Sequence, residues 1–215
     1  MTSRTRVAVV RFPGTLDHES ARRAVERSGA TVSFAWHADD HLPNGTDAVV
    51  LPGGFSYGDH LRPGAIASRS PVMDAVRRHA EGGGRVLGIC NGFQVLCEAG
   101  LLPGVLRPNR TLTFICRQAT LDVVDDETPW TGGKVTGTPL SIPIKHHDGA
   151  WFGDPSEGRV VLRYRGENPN GSVDAVAGIA NLAGNVMGLM PHPEEAVDLL
   201  LGSTDGLLLF EGLTR

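Results

Sequence analysis

The chain has little that would suit it to a membrane, a nucleic acid or the cell exterior. No apolar run in its 215 residues approaches the roughly 20 residues a membrane-spanning helix needs. The formal net charge is -4, so there is no basic surplus to track a phosphate backbone. Only three cysteines occur, an odd number at wide spacing, which is no disulfide framework. No stretch reads as a secretory leader, and together with the sparse cysteines this predicts a reducing cytoplasm. The sequons at Asn44, Asn109 and Asn170 then mean nothing as glycosylation sites. Neither an internal repeat nor a low-complexity linker is present, so residues 1–215 are expected to form a single domain. What the chain does have is 28 glycines and 14 prolines, which predict short elements joined by tight, functional loops.

Residues 7–10 form a continuous apolar run, as in a strand covered on both faces. Ala21, Ala24, Val25 and Ser28 recur at helical spacing, and Gly29 supplies a stop. Residues 31–36 and 48–51 read as the second and third strands, the latter ending at Pro52-Gly53-Gly54. Ser70-Pro71 reads as an N-cap and first helical residue; Val72, Ala75, Val76 and His79 continue that helix to Gly82-Gly83-Gly84. This glycine run fits no phosphate-binding fingerprint. Residues 85–89 are the fourth strand. Strands alternating with helices predict βαβ units and a parallel sheet, with the site at the carboxyl ends of the strands. After Gly104 the pattern changes. Segments 111–124, 140–145, 159–164 and 173–182 read as strands without clear helices, an antiparallel extension of the same sheet. Residues 186–190 are a last strand, and 199–201 and 207–210 are closing helical turns.

The most informative stretch is Gly88-Ile89-Cys90-Asn91-Gly92-Phe93-Gln94. An apolar strand runs into a cysteine, and a helical pattern with Phe93, Leu96 and Cys97 on one face follows at once. That is the layout of a nucleophile elbow. Gly88 and Gly92 leave room for the bend, and the free N–H groups of the helix start favour anionic sulfur. A small buried cysteine at a sheet edge would fit the same segment taken alone.

A cysteine nucleophile needs a base, a group to orient it, and oxyanion donors. His192 follows a strand end between two prolines, which bias it toward an extended backbone. Side chains two apart then point the same way, so Glu194 can hold one ring nitrogen and leave the other for Cys90. Without Cys90, the segment would read as a polar surface turn. The glycines of Pro52-Gly53-Gly54 let backbone N–H groups face a cavity, which makes Gly54 and Asn91 the candidate oxyanion donors. Phe55 to Asp59 prolong that loop. Gln94 lies one helical turn beyond Cys90 and can face the pocket. His146-His147-Asp148-Gly149 has metal-site residue types, but adjacent histidines on a strand point apart, so a pocket-lining loop is expected rather than zinc. Cys97 and Cys116 are expected in the core.

The combined pattern resembles the class I, or triad, glutamine amidotransferases, with a signature of Gly-x-Cys-x-Gly-x-Gln and a distant His-x-Glu. Here these are Gly88, Cys90, Gly92 and Gln94, with His192 and Glu194. In detail the chain is similar to the glutaminase-subunit family of phosphoribosylformylglycinamidine synthases. Arg11-Phe12-Pro13-Gly14, Gly53 to Asp59, Cys90 to Gln94, Pro143-Ile144-Lys145-His146 and Met190 to Glu194 carry that resemblance. One departure is His147-Asp148-Gly149, where a small residue and then Glu-Gly are expected.

The resemblance implies a flavodoxin-like α/β fold, a mostly parallel sheet with an antiparallel extension. It implies a catalytic triad of Cys90, His192 and Glu194, and glutamine contacts from Gly53, Phe55, Gln94, His146 and Asp148. It also implies hydrolysis of glutamine to glutamate, with ammonia passed to a large synthetase subunit in a complex with a small accessory subunit. No metal or organic cofactor is expected on this chain; ATP and magnesium belong to the partner. Two alternatives remain on the same fold: a free-standing γ-glutamyl hydrolase and a non-catalytic glutamine-sensing module.

Overall fold

The computed structural model describes residues 4–214. Eleven strands and four α-helices occur among them: β1 (Arg6–Arg11), α1 (His18–Arg27), β2 (Thr31–Trp36), β3 (Ala48–Leu51), α2 (Pro71–Glu81), β4 (Arg85–Ile89) and α3 (Asn91–Glu98) come first. There follow β5 (Val105–Arg107), β6 (Ile115–Val123), β7 (Pro139–His146), β8 (Ala150–Phe152), β9 (Arg159–Tyr164), β10 (Val176–Ala180), β11 (Val186–Leu189) and α4 (Leu207–Glu211).

Nine strands form one sheet in the order β2-β1-β3-β4-β11-β10-β9-β6-β7. The first five are parallel. From β11 outward every pairing is antiparallel. The parallel part has the flavodoxin-like order, which reverses direction between β1 and β3 and opens a crevice beyond their carboxyl ends. Burial follows the two halves. Val7 to Val10 and Ala48 to Leu51 are wholly buried, as a doubly covered parallel sheet requires. On β7 the core face alternates through Leu140, Ile142, Ile144 and His146. That strand also carries Pro139 and Pro143, tolerated because it is the sheet edge.

The elbow depends on two close approaches. A Cβ at Gly92 would lie 1.9 Å from the Leu51 carbonyl oxygen, and one at Gly88 would lie 2.5 Å from Leu96 Cδ1. Glycine at both positions lets α3 start directly against the ends of β3 and β4.

Several details differ from the sequence reading. Residues 111–114 do not extend β6, because Leu112 adopts a left-handed φ of 55° and its N–H turns back to Asn109 O at 2.8 Å. Val173–Ala175 is a 3-10 turn, so β10 begins only at Val176. β5 and β8 pair as a separate two-stranded sheet that the pattern did not announce. Ser70 occupies the N-cap of α2 but makes no capping bond; its hydroxyl meets the Tyr57 hydroxyl at 3.0 Å. Cys116 is exposed rather than in the core, because β9 pairs only with Leu121–Val123 and leaves the first half of β6 uncovered. Cys97 is partly covered, its sulfur 3.6 Å from Pro103 O, and burial pushes its thiol pKa up. No described helix is long and apolar enough to cross a membrane.

Candidate active site

β4 delivers Cys90 into a backbone conformation of φ 50°, ψ -103°, well outside the regions a non-glycine residue favours. The Cys90 N–H is held by Leu189 O of β11 at 2.8 Å, and its carbonyl accepts the first helical bond of α3, from Gln94 N at 3.1 Å. Between these anchors the side chain projects into a cavity, with Sγ 3.8 Å from Lys145 O.

His192 reaches the same cavity from the end of β11. Its N–H donates to Pro143 O of β7 at 2.8 Å. Nδ1 donates to Glu194 Oε1 at 2.6 Å, and both side chains are buried. The backbone is not the expected extended segment. Pro193–Glu195 is a 3-10 turn closed by Glu195 N to His192 O at 3.1 Å, and this turn brings Glu194 back under the ring. Nε2 is buried with no hydrogen-bond partner. Burial opposes a charged ring, but Glu194 and the Cys90 sulfur outweigh it and push the His192 pKa up to about 10.

The loop after β3 forms the next wall. Leu16 N donates to Gly53 O at 3.2 Å and Phe55 N to Gly14 O at 3.0 Å, a register that leaves the Gly54 N–H out of the pairing. Gly54 has φ 146°, and a Cβ there would lie 2.6 Å from Leu16 N. Asn91 opens α3, so its N–H is one of the free donors of the first turn.

Around the cavity the structure brings together Cys90, His192, Gly54, Phe55, Gln94, His146 and Asp148. Glu194 stands behind His192. Gly53 lies beneath His192, where a Cβ would come within 2.8 Å of ring Cε1. His146 is buried, with Nδ1 donating to Asn109 Oδ1 at 3.0 Å; burial, then His192, pushes its pKa down to about 4, so the ring is neutral. His147 also lines the cavity, at its exposed rim, and its Nδ1 pairs with Asp148 Oδ2 at 2.9 Å.

Sequence reasoning missed Asp17, Lys145 and Asp59 as members of the site, along with the apolar wall residues Leu16 and Phe114. Burial and the facing Asp148 push the Asp59 carboxyl up to about 6. Ligand atoms of Asp17, His192 and Glu194 lie within 4.8 Å of one another, a spacing that could hold a metal ion. In the structure these atoms pair among themselves and with Lys145.

A sequence model of the CobB/CobQ-like glutamine amidotransferase domain matches residues 4–204. The phosphoribosylformylglycinamidine synthase subunit PurQ of Rubrobacter xylanophilus is 54% identical over 209 residues, 94% of each chain. The subunit of the same name from Thermus thermophilus is 50% identical over 98% of each chain. Among solved structures, a chain of PurLQS from Thermotoga maritima superposes with a TM-score of 0.93 at 41% identity, covering 98% of both chains. A glutamine amidotransferase from Thermotoga maritima shares the fold alone, with a TM-score of 0.62 and 17% identity over 89% of this chain and 77% of its own. The chain belongs to the PurQ subunit family of phosphoribosylformylglycinamidine synthases, within the CobB/CobQ-like glutamine amidotransferases.

Proposed function

We propose that this chain hydrolyses glutamine to glutamate and supplies the ammonia to the large synthetase subunit that makes formylglycinamidine ribonucleotide in purine biosynthesis. A small accessory subunit completes the assembly, as in the related PurLQS. The observation that carries this reading is His192, tied through Nδ1 to Glu194 at 2.6 Å with Nε2 left free in the cavity that Cys90 enters.

The steps follow from this geometry. His192 takes the Cys90 proton, and the thiolate adds to the side-chain amide carbon of glutamine. The N–H groups of Gly54 and Asn91 hold the oxyanion that develops. His192 then protonates the departing ammonia, leaving a γ-glutamyl thioester on Cys90. Water deprotonated by His192 attacks the thioester, and glutamate and the thiol are restored. Phe55, Gln94, His146 and Asp148 line the substrate cavity, while Gly53 keeps room for His192. These steps are carried by this chain's own side chains and backbone, with ATP and magnesium used by the partner. The three free cysteines, one of them exposed, fit a reducing cytoplasm.

The test is steady-state glutamate release by the chain with and without the synthetase and accessory subunits. Release coupled to the synthetase reaction supports the reading. Full activity of the lone chain, indifferent to the partners, would make it a free-standing hydrolase, and no release in either state would make it a binding module.

A further inference from the structure

Asp17 ends the loop after β1 and stands at the N-cap of α1, yet its side chain makes no capping bond. An aspartate in that position ordinarily accepts from the N–H groups of the first helical turn. Here Oδ1 accepts from Lys145 Nζ at 2.9 Å, and Oδ2 stands 3.6 Å from Nδ1 of His192. That ring nitrogen therefore faces two carboxylates, Glu194 in a direct hydrogen bond and Asp17 just beyond it.

Two features hold Asp17 in this place. The Gly53 carbonyl accepts from the N–H groups of Leu16 and Asp17, at 3.2 and 3.1 Å. A Cβ at Gly53 would lie 2.5 Å from Asp17 Oδ2 and 2.8 Å from His192 Cε1, so glycine there reserves the space in which the two side chains meet. Lys145 comes from β7 on the other side. Its ammonium binds Asp17 and also Glu195 at 3.3 Å, while its carbonyl oxygen faces the Cys90 sulfur. Burial opposes the Lys145 charge, but Asp17, Glu194 and Glu195 outweigh it and keep the group protonated.

We propose that Asp17 and Lys145 are a positioning pair for the base: the carboxylate braces the His192 ring beside Glu194, and the ammonium offsets the added negative charge so that the ring can release its proton. This rests on the glutaminase reading of the site. The charged and titratable groups around His192 are Glu194 and Glu195 from its own turn, Asp17 from the β1–α1 loop, Lys145 and His146 from β7, and Cys90 from the elbow. Among them Lys145 is the cation that balances the carboxylates. Without it, the negative charge of Asp17 would hold the proton on the ring. Without Asp17, the ammonium would lose its shortest ion pair and repel the charged ring. The two substitutions therefore act in opposite directions.

The experiment is the pH profile of glutamate release by the reconstituted complex, comparing wild type with Asp17→Asn, Lys145→Met, the double variant and Lys145→Arg. A charge within about 4–6 Å shifts a pKa by about one unit or more. The alkaline limb should move down by about one unit in Asp17→Asn, whose carboxylate stands 3.6 Å from the ring, and in the opposite direction, up, in Lys145→Met. It should return close to wild type in the double variant and in Lys145→Arg. Losses equal at every pH with the limb unmoved, or shifts of the same sign in both single variants, would overturn the inference while leaving the glutaminase reading intact. A wild-type complex that released no glutamate would overturn that reading, and the inference with it.

Discussion

The side-chain oxygen of Asn91 accepts a hydrogen bond from the Ser56 N–H at 3.1 Å, joining the nucleophile elbow to the loop after β3. The same side chain donates to Gln94 Oε1 at 2.9 Å, and Gln94 Nε2 donates to Asp148 O at 2.7 Å. One run of amides thus holds the loops that follow β3, β4 and β7 around the cavity. Asn91→Ala keeps the backbone N–H but removes the run. A lost hydrogen bond costs about 1 kcal/mol, and more where it leaves a buried group unpaired. The kcat/KM for glutamine in the assembled complex should therefore fall about tenfold. An unchanged value would show that the loops are held by other contacts.

Cysteine reactivity should separate by probe. Cys90 lines the candidate active-site cavity, Cys97 is partly covered with its thiol pKa raised, and Cys116 is exposed on β6. A small general alkylating agent should modify Cys116 readily. An electrophilic glutamine analogue should instead modify Cys90 first, and added glutamine should protect it. Peptide mass mapping reads both. Glutamine protection of Cys116, or none of Cys90, would contradict the placement of the substrate.

Gly92→Ala tests the elbow as a packing device. The added methyl would sit 1.9 Å from the Leu51 carbonyl oxygen, which is backbone of a buried strand and cannot swing aside. Overpacking of this kind costs about 1–3 kcal/mol. Chemical denaturation should show a midpoint lowered accordingly, and a midpoint equal to wild type would mean that α3 can move away from β3 without loss.

Asp59 predicts a pH dependence of stability. Its carboxyl is pushed up to about 6 by burial and by Asp148, so the folded chain binds this proton more tightly than the unfolded chain. The stabilisation is complete below about pH 4 and is lost as pH rises through about 6. Asp59→Asn suits the site, since asparagine tolerates the left-handed φ of 53° found there. Allowing for solvent screening of a half-buried group, the variant should be about 1 kcal/mol more stable than wild type near neutral pH, with the gap closing near pH 4. Thermal melting across that range checks it, and a constant gap would contradict the assignment.

Much of this fold is legible in the sequence because its parallel half is simple. Runs such as Val7 to Val10 and Ala48 to Leu51 are short, apolar and bounded by turn residues, and each became a buried strand. In the antiparallel half β7 is legible for a different reason: only one of its faces packs on the core, so its burial alternates. Three-residue strands such as β5 and β8 carry no period and stayed invisible. Cys116 was misplaced because strand pattern says nothing about how far a neighbouring strand extends. Cys90, His192 and Glu194 were legible because elbow and His-x-Glu spacing are local. Asp17 was not: no local pattern marks it, and only the tertiary structure brings its carboxylate to Lys145 and His192.

The central claim is a division of labour, with glutamine chemistry on Cys90 and the synthetase chemistry on the partner. It is tested most directly by reconstituting the complex with Cys90→Ala and measuring formylglycinamidine ribonucleotide formation from glutamine and, separately, from ammonium. The account predicts that glutamine-dependent synthesis is abolished while ammonium-dependent synthesis stays close to wild type. Glutamine-dependent synthesis that survived the substitution would contradict the account, and so would a variant that ammonium fails to rescue.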